Sequence, residues 1–135
     1  MSLVTWNTSY SVKVARCDED HKKLFALINN LHEAMSTGKG AGVVQHIVGE
    51  LAAYAKYHFS TEESMMEKAK YPDLPSHRHQ HQVFVEQVKE FQRDIAAGKS
   101  GQTISVAEFL NNWLTNHIKQ TDQKYSAHLN ANGIH

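Results

Sequence analysis

Residues 43–62, VVQHIVGELAAYAKYHFSTE, contain the same short motif twice, a histidine followed four positions later by a glutamate. The two copies are His46/Glu50 and His58/Glu62. Apolar residues recur through this stretch at the spacing of one helix face. The centre of that apolar stripe is formed by Ile47, Leu51 and Ala55. The stretch therefore predicts one long helix with a buried face and a solvent face.

Helical phase separates the two copies of the motif. At about 100° per residue, His58 and Glu62 lie within about 20° of the centre of the apolar stripe. His46 and Glu50 lie on the opposite, polar side of the same helix. We therefore predict a solvent-exposed pair at the first copy. The second copy is predicted to place a base and a carboxylate inside the protein core.

Helix-breaking residues on both sides of this stretch divide the rest of the chain. The only prolines, Pro72 and Pro75, lie close together, and glycines concentrate at 38–42 and 98–101. The segments between these breaks carry apolar residues at helical spacing. They predict four helices, the first with Asp18 as its N-cap. The predicted elements are an extended arm at about 1–17, helices at about 19–37, 41–69, 76–97 and 104–121, and a C-terminal tail.

Four amphipathic helices with short links predict an all-α protein, an up-down-up-down four-helix bundle. A length of 135 residues suits a single domain over residues 1–135. The formal net charge of +0 argues against nucleic-acid binding by bulk electrostatics. The sequence contains no apolar run of membrane-spanning length, so no membrane insertion is expected. The single cysteine, Cys17, excludes an intrachain disulfide and favours a reducing, cytoplasmic location.

The unusual feature of the composition is its 10 histidines. Helical phase places a histidine on the inner face of every predicted helix, whereas His79 faces outward and His32 lies near the edge of its face. The inward histidines are His21, His58, His77, His81 and His117. Buried imidazoles and a carboxylate need more polar partners than an apolar core supplies, and a metal would supply them.

The number of inward ligands indicates two metals. Imidazole and carboxylate ligands together suit iron, zinc, copper or manganese. One ion cannot take five histidines and the carboxylates, but two ions about 3.5–4 Å apart can share bridging carboxylates. Asp122 is the candidate for a second bridge beside Glu62. It follows His117 by five residues, which on a straight α-helix would rotate it by about 140° away from the site. We therefore predict a local wide turn between these residues.

The ligand types narrow the chemistry. Ferritin-like di-iron enzymes use Glu-x-x-His pairs, and no histidine in this chain has a glutamate three residues before it. A histidine-rich site with few carboxylates carries less anionic charge and should stabilise high-valent iron less well. Reversible O2 binding is therefore favoured over oxygen activation.

The chain closely resembles the hemerythrin family, and within it the single-domain bacterial members. The resemblance runs from about Trp6 to Tyr125, and it includes Tyr71-Pro72 and Trp113-Leu114 beside the ordered site residues. Those site residues are His21, His58-x3-Glu62, His77-x3-His81 and His117-x4-Asp122. The chain departs from the family pattern at Asp20, where glutamine is common, and at Cys17, where an aliphatic residue is usual.

The resemblance implies a pair of non-haem iron ions that bind O2. One iron would take His77, His81 and His117, and the other would take His21 and His58 and keep an open position. Glu62 and Asp122 would bridge the two irons together with a solvent-derived oxo or hydroxo. Leu114, one turn before His117, is expected to be a wall of the O2 pocket or an ordinary core residue.

The resemblance also leaves three classes of function open. The first is a non-enzymatic O2 carrier or store, which could deliver O2 to an oxygen-using enzyme. The second is an enzyme on the same scaffold: a di-iron peroxidase, an oxidase or a nitric-oxide-handling protein. The third is an O2 sensor that acts through a separate partner protein. Reversible spectra without turnover would favour the first class, and rapid peroxide consumption would favour the second.

Overall fold

Long helices occupy most of the computed structural model, which describes residues 4–38, 41–97 and 104–135. Within these ranges there is no β-strand. The four principal helices are α1 (Ala15–Ser36), α2 (Ala41–Lys68), α3 (Leu74–Ala96) and α4 (Ile104–Asn116). A π-helical turn (His117–Asp122) and a last helix, α5 (Gln123–Ala131), follow α4 without a break.

The helices form a bundle in which each principal helix packs against its neighbours in the chain. Helix α1 contacts α2 and α4, and α3 also contacts α2 and α4. Buried side chains at intervals of three and four residues line the centre; in α1 they include Leu24, Ile28 and Leu31, each 0% exposed. The predicted all-α, four-helix bundle is confirmed. None of the helices in the described ranges has the length and apolar character needed to cross a membrane.

Helix α1 begins earlier than the sequence predicts. Its N-cap is Val14, and Asp18, the predicted cap, lies inside its first turn. The Asp18 carboxylate accepts hydrogen bonds from the Val12 backbone N–H at 2.8 Å and from the Ser11 hydroxyl at 2.6 Å. The prediction for this N-cap was therefore wrong, because the carboxylate satisfies a donor of the preceding arm rather than a donor of the helix.

The described part of the N-terminal arm packs against α1, the π-helical turn and α5, as predicted for an extended segment that lies on the body of the protein. Between residue 4 and the start of α1, its helical part is a short 3₁₀ turn, Thr8–Tyr10. The Val4 backbone N–H donates to the Asn29 side chain at 3.0 Å, and the Asn29 amide donates back to the Val4 carbonyl at 2.7 Å. Val12, at 0% exposed, and Val14, at 1%, are core residues. The arm thus contributes side chains to the hydrophobic core.

The C-terminal residues form a helix rather than the tail that the sequence predicts. Helix α5 continues to Ala131 and buries Tyr125 and Leu129 completely. Its outer side is anchored by His128, whose Nε2 lies 2.5 Å from the Ala69 carbonyl oxygen just after α2. The sequence analysis missed α5 because it ended the helix at the Asp122 irregularity. The chain instead passes through the irregularity and resumes α-helix.

Candidate metal centre

Seven titratable side chains converge at the centre of the bundle, and each of them is at most 4% exposed. They come from α1, α2, α3 and the π-helical turn that continues α4. Each of the four helical segments of the bundle therefore contributes at least one side chain. The seven are His21, His58, Glu62, His77, His81, His117 and Asp122. They are the residues that sequence reasoning selected, and the structure brings all of them together.

The other histidines lie away from this cluster. His46 is exposed and its Nε2 is 3.4 Å from the Glu50 carboxylate, so the first copy of the repeated motif is a surface pair. His79 is exposed and His32 is half-buried. Helical phase therefore separated the inward histidines from the outward ones correctly.

The π-helical turn is what brings Asp122 into the cluster. In a π-helix the backbone hydrogen bonds join residues five apart, so His117 and Asp122 can face the same side. The His117 Nε2 lies 3.0 Å from Asp122 Oδ1. The predicted wide turn is confirmed. On a regular α-helix, Thr121 would take the inward position; here it is half-buried and its hydroxyl donates to the Gln80 side chain at 2.9 Å.

The two carboxylates divide the five imidazoles into two groups. Glu62 Oε2 lies 3.1 Å from His58 Nε2 and 3.2 Å from His21 Nε2, whereas its other oxygen lies 3.2 Å from His81 Nε2. Asp122 Oδ2 lies 3.3 Å from His21 Nε2, whereas Oδ1 lies 2.9 Å from His77 Nε2. Each carboxylate thus presents one oxygen to a group of two histidines and one to a group of three. This is the arrangement that two bridging ligands require.

Many of the converging atoms lie close together without forming hydrogen bonds. Among the described residues, Nε2 of four site histidines, one Glu62 oxygen and both Asp122 oxygens are buried and lack a hydrogen-bond partner. The four histidines are His58, His77, His81 and His117. Buried polar atoms are rarely left without partners, because each costs about 1–3 kcal/mol. Lone pairs that point at a common centre rather than at one another are typical of a metal site.

The outward nitrogens of three site histidines are held by other side chains. His58 Nδ1 lies 2.8 Å from Asp20 Oδ2, and His81 Nδ1 lies 2.9 Å from Glu63 Oε2. His117 Nδ1 lies 3.0 Å from Gln80 Oε1. Because the acceptors are oxygens, each Nδ1 is the donor in its hydrogen bond, which leaves Nε2 of the neutral imidazole free to present a lone pair to a metal ion.

Sequence reasoning singled out Asp20 as a departure from the family pattern, but it did not predict that these three residues contact the site histidines. Glu63 carried a signal, since it directly follows Glu62. Asp20 and Gln80 lie on different helices from the histidines they hold, so no spacing within one helix could reveal them. Tyr125 was also missed; its hydroxyl donates to Glu62 Oε2 at 2.6 Å from within the unexpected helix α5.

The electrostatics of the cluster follow from burial opposed by neighbouring charge. Burial alone would lower the pKa of His58, but the Glu62 charge and the hydrogen bond to Asp20 raise it to about 10. Burial would likewise lower the pKa of His77, whereas the adjacent carboxylates of Asp122 and Glu62 raise it to about 9. Burial opposes ionisation of Glu62, yet His58 and His21 hold its pKa well below the usual range. In the metal-free protein, protonated histidines therefore supply part of the positive charge that metal ions would otherwise provide.

Aromatic rings enclose the three-histidine group. Phe59 stacks on the His81 ring with 3.9 Å between centroids, and Trp113 stacks on the His117 ring at 4.6 Å. Leu114 is 1% exposed on α4, one turn before His117. These side chains limit the access of water and keep the imidazole rings in fixed orientations.

The donor set fits a pair of metal ions of intermediate softness. Five imidazoles and two carboxylates form one group of five and one of three potential ligands that share Glu62. Cys17 is buried nearby but belongs to neither of these groups in the described part of the chain. Imidazole and carboxylate without thiolate suit iron, zinc, copper or manganese rather than calcium or magnesium.

Comparison with known proteins identifies relatives that match nearly the whole chain. The family model described as the hemerythrin HHE cation binding domain matches residues 12–129. Bacteriohemerythrin from Stenotrophomonas maltophilia (strain R551-3) is 32% identical over 134 residues, covering 96% of this chain and 86% of the relative. Bacteriohemerythrin from Methylococcus capsulatus (strain ATCC 33009 / NCIMB 11132 / Bath) is 30% identical, covering 97% of this chain and 100% of the relative.

The fold is also similar to solved structures. A crystal structure of wild-type hemerythrin superposes with a TM-score of 0.89 at 29% sequence identity, covering 95% of this chain and 98% of that chain. The similarity of fold therefore extends over nearly the whole chain.

Proposed function

Since the chain belongs to the hemerythrin family, we propose that it binds O2 reversibly at a pair of non-haem iron ions. Its role is oxygen storage, transport or delivery to an oxygen-using enzyme, without catalytic turnover. We also propose that the whole chain, 1–135, forms a single domain of this family. A cytoplasmic location fits its single cysteine, which is buried and unpaired.

The residues divide between the two ions according to the two groups of donors. His77, His81 and His117 would hold one ion, and His21 and His58 would hold the other. Glu62 and Asp122 would bridge both ions together with an oxo or hydroxo derived from solvent. Two ferrous ions, when bound, supply the electrons that the reversible binding of O2 requires.

The observation that carries the proposal is the unequal number of donors in the two groups. Three imidazoles and two carboxylate oxygens surround one position, whereas two imidazoles and two carboxylate oxygens surround the other. The second group therefore leaves room for a small external ligand, and a site with an open position is the usual requirement for ligand binding at a metal.

The surrounding residues fix this asymmetry and exclude water. Asp20 and Glu63 hold imidazole rings from behind, and the Tyr125 hydroxyl holds one Glu62 oxygen. We assign Leu114 to the wall of the O2 pocket, because it is buried one turn before His117. A dry, preorganised pocket of this kind favours binding over side reactions of the ligand.

The experiment that tests the proposal is metal analysis combined with an optical spectrum under alternating oxygen and argon. Protein from iron-replete cells is expected to contain two irons per chain and to change its spectrum reversibly over many cycles. One zinc per chain with no iron would overturn the di-iron proposal. Rapid consumption of added peroxide would instead identify an enzyme on the same scaffold.

A further inference from the structure

The carboxylate of Asp20 is the outward partner of His58, a histidine in the group with fewer donors. Its Oδ2 lies 2.8 Å from His58 Nδ1, and Asp20 is 6% exposed. Resting on the proposed function, we propose that Asp20 is a positioning residue that strengthens His58 as a ligand. It thereby shifts the iron held by His21 and His58 towards the ferric state.

The geometry fixes both oxygens of Asp20. Oδ2 accepts from His58 Nδ1, while Oδ1 accepts from the Tyr54 hydroxyl at 2.7 Å. Among the described lysines and arginines, Arg16 forms an ion pair with Asp20; its Nε is 3.9 Å from Oδ2 and its side chain is 51% exposed. The carboxylate therefore cannot turn away from His58 without losing a second hydrogen bond.

The consequence for His58 follows from charge. A hydrogen bond from Nδ1–H to a carboxylate is stronger than one to a neutral amide, and it moves electron density towards Nε2. An imidazole with more charge at Nε2 stabilises a trivalent ion more than a divalent one, since the attraction grows with the charge of the metal. Asp20 therefore favours the ferric state over the ferrous state.

The side chains that hold histidines of the three-histidine group carry less unpaired negative charge than Asp20 does. Glu63 holds His81, but its other oxygen accepts from Arg78 Nε at 2.9 Å, so its charge is shared with a cation. Gln80, which holds His117, is neutral. The distance from Asp20 to Arg16 is 3.9 Å, whereas the distance from Glu63 to Arg78 is 2.9 Å. The two ions are thus expected to differ in redox preference as well as in ligand number.

Substitutions that differ in charge but little in shape test this inference. Asp20→Asn keeps an acceptor for His58 and removes the charge. Glu19→Gln is the matched control, because it removes the same charge from the adjacent residue, whose side chain is 72% exposed and pairs with Lys22. Tyr54→Phe removes a donor from Asp20 and leaves more of its charge for His58, so it should act in the opposite direction.

Two readouts separate this inference from the proposed function. The first is the midpoint of a redox titration of the iron-loaded protein. Asp20→Asn should reduce the preference for the ferric state about tenfold, a midpoint rise of about 59 mV per electron. Tyr54→Phe should lower the midpoint, and Glu19→Gln should leave it unchanged. The second is the affinity for Co²⁺ in a chelator competition, which Asp20→Asn should weaken about 10- to 100-fold.

The outcomes are distinguishable. An unchanged midpoint and an unchanged Co²⁺ affinity in a folded Asp20→Asn protein would overturn the role of Asp20. Equal effects of Asp20→Asn and Glu19→Gln would also overturn it, because only long-range charge would then be acting. If the wild-type protein does not retain an iron pair, the proposed function fails. The Co²⁺ measurement still tests whether Asp20 strengthens His58.

Discussion

Replacing each histidine of the repeated His-x3-Glu motif with alanine should have very different consequences. His58 is 0% exposed, with Nδ1 held by Asp20 and Nε2 facing Glu62 at 3.1 Å. His46 has a side chain that is 77% exposed, and its Nε2 lies 3.4 Å from the Glu50 carboxylate. The two substitutions are chemically identical and lie on one helix, so each serves as the control for the other.

The magnitudes follow from the contacts. Structural zinc sites with four protein ligands are worth about 10–16 kcal/mol, so one ligand of four contributes roughly 3 kcal/mol in such a site. His58→Ala should therefore weaken metal binding at the two-histidine group about 100-fold. It also leaves the Asp20 carboxylate without one of its donors. His46→Ala removes an exposed helical pair, worth only about 0.3–0.5 kcal/mol of folding stability.

The assay is iron content after dialysis against a moderate chelator, followed by the change in optical spectrum on adding oxygen. His58→Ala should retain less than the two irons per chain proposed for the wild type and should show no reversible oxygen spectrum. His46→Ala should behave as the wild type in both measurements. Equal losses from the two variants would refute the argument from helical phase.

Three further predictions concern protons, the π-helical turn and the pocket wall. His58, with a pKa raised to about 10, and His77, with a pKa raised to about 9, are protonated in metal-free protein at pH 7, so metal binding should release protons into weak buffer. Metal affinity should then rise with pH up to about 10. The stability that the two protonated histidines give the metal-free fold is present below about pH 6.5 and is lost as the pH rises through 9–10. The absence of proton release at pH 7 would contradict the raised pKa values on which both expectations rest. Backbone amides of residues 117–122 should exchange hydrogen faster after metal removal, because ligation offsets the strain of the turn; unchanged exchange by mass spectrometry would argue against this. Leu114→Ala should lower the metal-free unfolding free energy by about 2–5 kcal/mol in urea titrations, whereas Phe109→Ala, at a side chain 48% exposed on the same helix, should cost much less.

The sequence predicted the inner face of the bundle well, because helical periodicity and burial act on the same residues. His58 and Glu62 share the phase of the apolar stripe, and both are buried. Even the irregular turn before Asp122 was predictable, since a regular helix would have turned that carboxylate away from the other six residues. The assignment of the seven residues as metal ligands stays a prediction until metal is measured.

The features that sequence reasoning missed depend on contacts between elements. The Asp20 contact with His58 joins α1 to α2, and Gln80 joins α3 to the π-helical turn. Asp18 fits the sequence pattern of an N-cap, but its carboxylate is taken by the Val12 N–H of the arm. Helix α5 was missed because an irregular turn was taken for a helix end, and Tyr125 was missed with it. Such contacts are set by tertiary packing, which local periodicity does not contain.

The most direct test of the central claim is the amount of O2 bound per iron. Anaerobic, ferrous-loaded protein would be mixed with a known amount of O2, and the dissolved gas would be measured before and after flushing with argon. The account predicts uptake of one O2 for every two irons and release of most of that O2 under argon, with no peroxide left in solution. Uptake without release, accompanied by peroxide or water formation, would contradict reversible binding.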